Sequence, residues 1–280
     1  MVSKSLSVTK IGLIVVSVLL LLGACSPERK LARKYVKTHK GNGVLIVPVY
    51  ELFKDNLTIT YDTNLRYSNE QIDSIAWEQS CYIKHISDSV FLTNFTNSLI
   101  DELSTVGFDV YLDGESDIFL ALPDPKWIVQ IAQLQIDEDY RTKYQQKFSV
   151  EDNSLYYEEF RVNQVNLSSW LEVSRTNTGN KQVLFLEGYI QDDYHIGIDV
   201  DLIQGNFGML GNRDSLEIAD VYSMAKSSGQ KHAELLFDYF MNDYIRDNLP
   251  AGIVNREYFH YDLKAKSLKR GLNERFDVVN

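Results

Sequence analysis

One apolar stripe near the C-terminal end constrains the fold more than any other feature of this chain. Ile218, Val221, Tyr222, Ala225, Gly229, His232, Ala233, Leu236 and Phe240 recur at three- and four-residue steps. That spacing predicts a single long helix over 215–248, opening near Asp214 or Ser215. The middle of the stripe is small, Ala225, Gly229 and Ala233. A glycine inside a helix costs about 1 kcal/mol relative to alanine. The expected return is close packing of the helix on a sheet face.

A second stripe, Phe91, Leu92, Phe95, Leu99, Leu103 and Val106, predicts a helix over 88–106, capped by Asp88 or Ser89 and stopped by Gly107. Before it, Val44 to Tyr50 is a short β-branched run that reads as a buried strand, with Pro48 barring a ladder in its second half. After it, Phe108, Val110 and Leu112 alternate with polar residues as a half-buried strand does. Residues 72–82 carry a looser helical spacing after a polar loop.

Trp127, Val129 and Ile131 share one parity, whereas Ala132, Leu134 and Ile136 take the other. A strand with a bulge between the two sets is expected. Residues 160–174 and 181–189 read as a long hairpin around Thr176-Asn177-Thr178-Gly179-Asn180. The whole is expected to be one α+β domain over 44–263, a mostly antiparallel sheet packed against the two main helices, 88–106 and 215–248. A basic, mobile tail over 264–280 follows.

Charge and composition exclude several function classes. The chain carries a formal charge of −11, and residues 41–280 hold 20 basic against 38 acidic side chains. That balance repels phosphate backbones, so no nucleic-acid partner is expected. By contrast, residues 26–40 hold Arg29, Lys30, Arg33, Lys34, Lys37 and Lys40 against Glu28 alone. The stretch reads either as a headgroup-binding stem or as a solvated tether.

No motif supports a catalytic, metal or cofactor site. His39, His85, His195, His232 and His260 are dispersed without a second ligand at helical spacing, so no metal is expected. His232 lies on the apolar stripe and reads as a satisfied core histidine. Cys81, beside Trp77 and Tyr82, reads as a small buried hydrophobe. Asp192, Asp193, Asp199 and Asp201 lack the glycine and distal glutamate of a calcium loop and read as a solvated acidic turn. Asp137-Glu138-Asp139 and Glu158-Glu159 offer paired carboxylates whose separation sequence does not give. There is no nucleophile elbow, phosphate loop or dinucleotide fingerprint, and the reading is non-enzymatic. Tyr140, Tyr144, Tyr156 and Tyr157 flank a charged stretch expected to be a loop. Exposed, they would serve recognition; laid against a strand, they would simply keep their hydroxyls wet.

The N-terminal segment pairs Lys4 and Lys10 with an uncharged run from Ile11 to Leu22. About 12 apolar residues are too few to span a bilayer core that needs about 20 in a helix. The run ends in Leu22-Gly23-Ala24-Cys25, which resembles the lipobox of bacterial lipoproteins. The resemblance implies a signal peptide over 1–24 cut between Ala24 and Cys25, diacylglycerol on the Cys25 thiol, and fatty acylation (palmitate or a similar chain) of its new amino group. The mature chain would open with a lipidated basic tether over 25–43. Several acyl chains together anchor a protein stably where one does not.

Ser26 follows the cysteine where aspartate would imply inner-membrane retention, and no acidic export cluster follows. The resemblance therefore implies the outer membrane, periplasmic face rather than cell surface. Asp73-Ser74-Ile75, Asp88-Ser89-Val90 and Asp214-Ser215-Leu216 resemble the O-glycosylation sites of Bacteroidota, with Ser74, Ser89 and Ser215 as acceptors. Helix capping is the competing reading for the last two.

By element order alone, residues 44–249 resemble auxiliary lipoproteins of ABC transporters and curli-type secretion lipoproteins. That resemblance implies a membrane-anchored protein with an envelope protein as partner, serving assembly, transport or scaffolding. The alternative is a lipoprotein that binds a glycan or small ligand in an aromatic-lined concavity, for which Trp127 and Trp170 are the candidates.

Overall fold

The structure is a computed structural model that describes residues 26–60, 66–149, 154–179, 181–201, 206–255, 257–271 and 275–279. The segment 1–24 and Cys25 lie outside the described residues. Among the described residues five helices, α1 (Pro27–Thr38), α2 (Asn69–Gln79), α3 (Asp88–Val106), α4 (Ser116–Leu120) and α5 (Ile218–Asn248), accompany a mixed sheet in an α+β architecture. Its strands are β1 (Gly43–Val47), β2 (Phe53–Asn56), β3 (Asp109–Leu112), β4 (Trp127–Ser149), β5 (Ser154–Arg175), β6 (Lys181–Gln191) and, from the C-terminal end, β11 (Asp277–Val279). Two hairpins stand apart, β7 (Asp193–Asp201) with β8 (Asn206–Asp214) and β9 (Tyr258–Asp262) with β10 (Ser267–Gly271).

The sheet runs β11-β6-β5-β4-β1-β3, with β2 also on β4. Its β4–β5, β5–β6 and β6–β11 pairings are antiparallel, whereas β1–β3, β1–β4 and β2–β4 are parallel. The expected mostly antiparallel sheet is thereby corrected to a mixed one. Helix α3 carries the chain between β1 and β3, and a crossover of that kind returns a strand parallel to its predecessor. Strand β1 stops at Val47, one residue before Pro48. The edge of β4 is taken up again by β2, opposite Gln135 to Glu138.

The bulge expected in β4 is present. Ile131 faces Leu171 while Gln133 faces Trp170, which leaves Ala132 as the extra residue. One inserted residue reverses the phase of the pleat. Trp127, Val129, Ile131, Leu134 and Ile136 are all buried as a result. Val165, Leu167, Leu171, Val173, Leu184 and Leu186 extend the same core across β5 and β6.

The small residues of α5 meet a helix rather than the sheet, which corrects the expectation. A Cβ built on Gly229 would lie 2.2 Å from Phe95 O and 3.0 Å from Leu99 N, both in α3. Only glycine admits that backbone-to-backbone approach. Farther along, α5 grips β9 through polar side chains one turn apart. Asn242 Oδ1 accepts from Phe259 N–H at 2.9 Å while its Nδ2 donates to Phe259 O at 2.8 Å. Asp238 Oδ1 accepts from Tyr261 N–H at 2.8 Å, and Asp238 Oδ2 lies 3.0 Å from His260 Nδ1. The helix thus satisfies a strand edge that would otherwise be buried with orphan backbone groups.

The first and last described segments join this body. The stretch expected as a tether forms α1, whose Ala32 and Tyr35 are buried. Tyr35 stands edge-on to Phe237 of α5, and His39 bonds Tyr35 O at 3.0 Å and Val106 O at 2.8 Å. The expected mobile tail supplies β10 and the sheet-edge strand β11.

Replacing Gly229 with alanine is expected to destabilise the fold by about 2 kcal/mol in urea unfolding, because overpacking outweighs the gain in helix propensity. Ser223→Ala, on the exposed side of the same helix, is expected to stay within about 0.5 kcal/mol.

Candidate functional site: a tyrosine-bearing ribbon

Strands β4 and β5 outrun the rest of the sheet. The β5–β6 ladder begins at Gln164, opposite Gln191, yet β4 and β5 continue pairing from Tyr140–Asn163 to Ser149–Ser154. Ten residue pairs at about 3.4 Å per residue make a two-stranded ribbon on the order of 30 Å long. No third strand joins it among the described residues. The loop expected around the tyrosines is therefore a pair of ladder strands.

The pleat sorts the ribbon's side chains. Tyr140, Thr142 and Tyr144 of β4 share one face with Glu159 and Tyr157 of β5, because cross-strand partners point the same way. Tyr140, Tyr144 and Tyr157 are 42%, 68% and 68% exposed. Tyr144 and Tyr157 leave most of their surface exposed, whereas Tyr140 is more than half covered. Phe160 and Val162 are partly and fully buried on the opposite face, where the Arg141 guanidinium stacks 5.3 Å from the Tyr189 ring.

Two buried carboxylates hold the root of the ribbon. Glu138, 2% exposed, accepts from Ser80 Oγ at 2.7 Å and from the backbone N–H groups of Cys81, Tyr82 and Ile83 at 2.8, 3.0 and 3.3 Å. Four donors on one carboxylate replace the water it gave up. Asp192, fully buried, accepts from Asn163 N–H at 2.9 Å and Leu216 N–H at 2.8 Å. Asn163 Nδ2 donates to Tyr82 Oη at 2.9 Å, which ties the two carboxylate sites together. Burial, and then the charge of Asp192, push the Tyr82 phenol above its ordinary pKa.

Several single-residue expectations change here. Asp192 is a buried latch rather than part of a solvated turn. Glu138 is committed to amides, so it is no partner in a carboxylate pair. Asp137, on the other face, accepts from Gln135 Nε2 at 2.9 Å, and burial raises its pKa. Cys81 is exposed rather than buried. Trp127 stacks on Phe240 in the core at 4.4 Å, and Trp170 leans on Phe185. A depression of about 540 Å³ between β6 and α5 is bordered by Asp193, Asp214, Ser215, Asp220 and Met224, with neither tryptophan among its walls.

Ser169 and His232 form a pair that resembles a nucleophile and its base by distance alone, Oγ to Nε2 at 2.6 Å. Both are sealed between β5 and α5, at 0% and 4% exposure. His232 Nδ1 donates to Ser228 O at 2.6 Å, which leaves Nε2 to accept from the serine. Burial pushes its pKa down to about 4. No group of three potential metal ligands occurs among the described residues.

Ser74, Ser89 and Ser215 are all exposed. The N-caps of α3 and α5 fall on Ser87 and Glu217, so capping does not account for Ser89 or Ser215. Asp88 instead pairs with Lys54 Nζ at 2.5 Å. No described helix is long and apolar enough to cross a membrane.

No protein-family profile matches the chain. No curated protein matches it significantly in sequence.

A neutral buried histidine favours the fold only while its proton stays off. With a folded pKa near 4 against 6.5 unfolded, His232 contributes stability that is present above pH 6.5 and lost as the pH falls towards 4. The expected loss is roughly 3 kcal/mol. Urea midpoints across that window should fall more steeply for the wild type than for His232→Gln.

Proposed function

We propose that this chain is a non-enzymatic envelope lipoprotein that docks a membrane complex through its β-ribbon. The observation that carries the reading is the face bearing Tyr140, Tyr144 and Tyr157, exposed on a ribbon whose root is fixed by Glu138 and Asp192. Tyrosine suits such a surface because it offers a large, stiff contact area with a polar tip. A ribbon also presents two strand edges to which another chain can add.

The anchor in this proposal is Cys25, lipidated after removal of residues 1–24, at the periplasmic face of the outer membrane. The basis is the Leu22-Gly23-Ala24-Cys25 resemblance and Ser26 after the cysteine. The role is assembly, transport or scaffolding without turnover. Its support is that the Ser169–His232 pair is sealed from substrate and Glu138 is bound by its own chain. Glycan or small-ligand binding is the weaker reading, since Trp127 belongs to the core.

A mild-detergent pull-down of the full tagged protein from its native envelope tests the proposal. One membrane protein is expected in near-equal amount. Tyr144→Ser/Tyr157→Ser should reduce its recovery on the order of thirtyfold, as expected of central aromatic contacts. Cys25→Ala should abolish incorporation of fatty acid into the chain, read by metabolic palmitate labelling. Recovery of the chain alone would overturn the partner reading.

A further inference from the structure

We infer that the outward face of α1 is a docking surface for an anionic phospholipid bilayer, which orients the body on the membrane. The inference deepens the anchored-lipoprotein reading by naming a second contact with the bilayer beside Cys25.

The geometry is that of a helix with two opposed faces. Glu28, Ala32, Tyr35 and, just past the end, His39 are buried against the body. Lys30, Arg33, Lys34 and Lys37 are exposed. At 3.6 residues per turn the buried set and the cationic set lie on opposite sides of the helix. The four cations border one shallow depression with Thr38 and no acidic neighbour.

The helix is fixed, so its face has a direction. Tyr35 packs against Phe237 and Tyr244 of α5, and His39 closes the C-terminal end by bonding Val106 O. Turning the cations inward would unpack this aromatic contact. They therefore point permanently away from the body.

The charge distribution selects the occupant. Residues 41–280 hold 20 basic against 38 acidic side chains, a surplus of 18 negative charges. An anionic bilayer repels an acidic body and attracts the cationic face that α1 presents, whereas in the C-terminal basic stretch Lys269 and Arg270 are already paired with Asp262 and Glu257. An acidic protein with one cationic helix is thus held on such a surface in a single orientation. The helix starts two residues after Cys25, so an acyl chain on that cysteine would place the same helix at the headgroup level. Each cation near an anionic surface raises partitioning roughly fivefold at low salt.

The test is vesicle co-sedimentation of the mature chain, residues 25–280 with Cys25→Ser, which keeps every described element and removes the lipid. Phosphatidylcholine vesicles containing phosphatidylglycerol are compared with phosphatidylcholine alone. Binding is expected only to the anionic vesicles and should fall steeply with added salt. Lys30→Glu/Lys34→Glu/Lys37→Glu should lower it on the order of a hundredfold. Lys226→Glu/Lys231→Glu/Lys264→Glu, with the same change in net charge at exposed sites elsewhere, should bind anionic vesicles far better than the α1 triple. Matching urea midpoints for the two triples establish that both are folded.

Equal binding to the two vesicle types, no binding to either, or equal losses in the two triples would overturn the inference. Metabolic palmitate labelling of the full-length wild type against Cys25→Ala reads the anchor separately. Labelling with failed sedimentation removes the docking face and leaves the anchor. Sedimentation without labelling does the reverse.

Discussion

Helix α5 ties together α1, α3, β9 and the sheet, and its tie to α3 depends on one missing side chain. At Gly229 the helix comes so close to α3 that a methyl group would overlap Phe95 O. Close contact there brings α3 and α5 together over the sheet and closes the core that Phe95, Leu99, Leu236 and Phe240 fill. The same helix reaches the sheet through His232 and Ser169, β9 through Asn242 and Asp238, and α1 through Phe237 and Tyr244. No disulfide between described residues shares this task, since Cys81 is free. Cohesion is a matter of packing and of buried polar groups that are satisfied in pairs.

That rigidity is what gives the ribbon meaning. A two-stranded ribbon alone is at most marginally stable in water. This one begins where Glu138 and Asp192 fasten β4, β5 and the segment before α5 to one another. Both carboxylates are buried, and each accepts hydrogen bonds from backbone N–H groups. A charge held in that way fixes geometry more than it adds stability. In the proposed function, the body positions a stiff aromatic face at a distance from the core, on a chain oriented at its other contacts by α1 and Cys25.

Much of the fold was legible from residue spacing. The boundaries of α3, the stop at Gly107, the end of β1 before Pro48 and the β4 bulge all follow from local periodicity, and the structure shows each of them. What periodicity does not carry is the identity of the surface that a stripe meets. Ala225, Gly229 and Ala233 announce a close approach, but helix and sheet satisfy the pattern equally, and the partner is α3. The parallel pairings of β1 and β2 are likewise long-range facts with no local signature.

The candidate site was less legible. The tyrosines were visible, but the ribbon was hidden because its strands are polar on one face and carry charges throughout, which resembles a loop. Glu138 could have been found: once Ala132 shifts the phase, it falls in step with the buried Leu134 and Ile136. Asp192 gives no such sign, because its burial depends on backbone groups of Asn163 and Leu216, distant in sequence.

The most direct measurement is site-specific photo-crosslinking in intact cells, with a photoreactive amino acid placed at Tyr144, at Tyr157 and, for comparison, at exposed Ser223 of α5. The account predicts that both ribbon positions capture the same membrane protein and that position 223 does not. Capture from position 223 with none from the ribbon would contradict it.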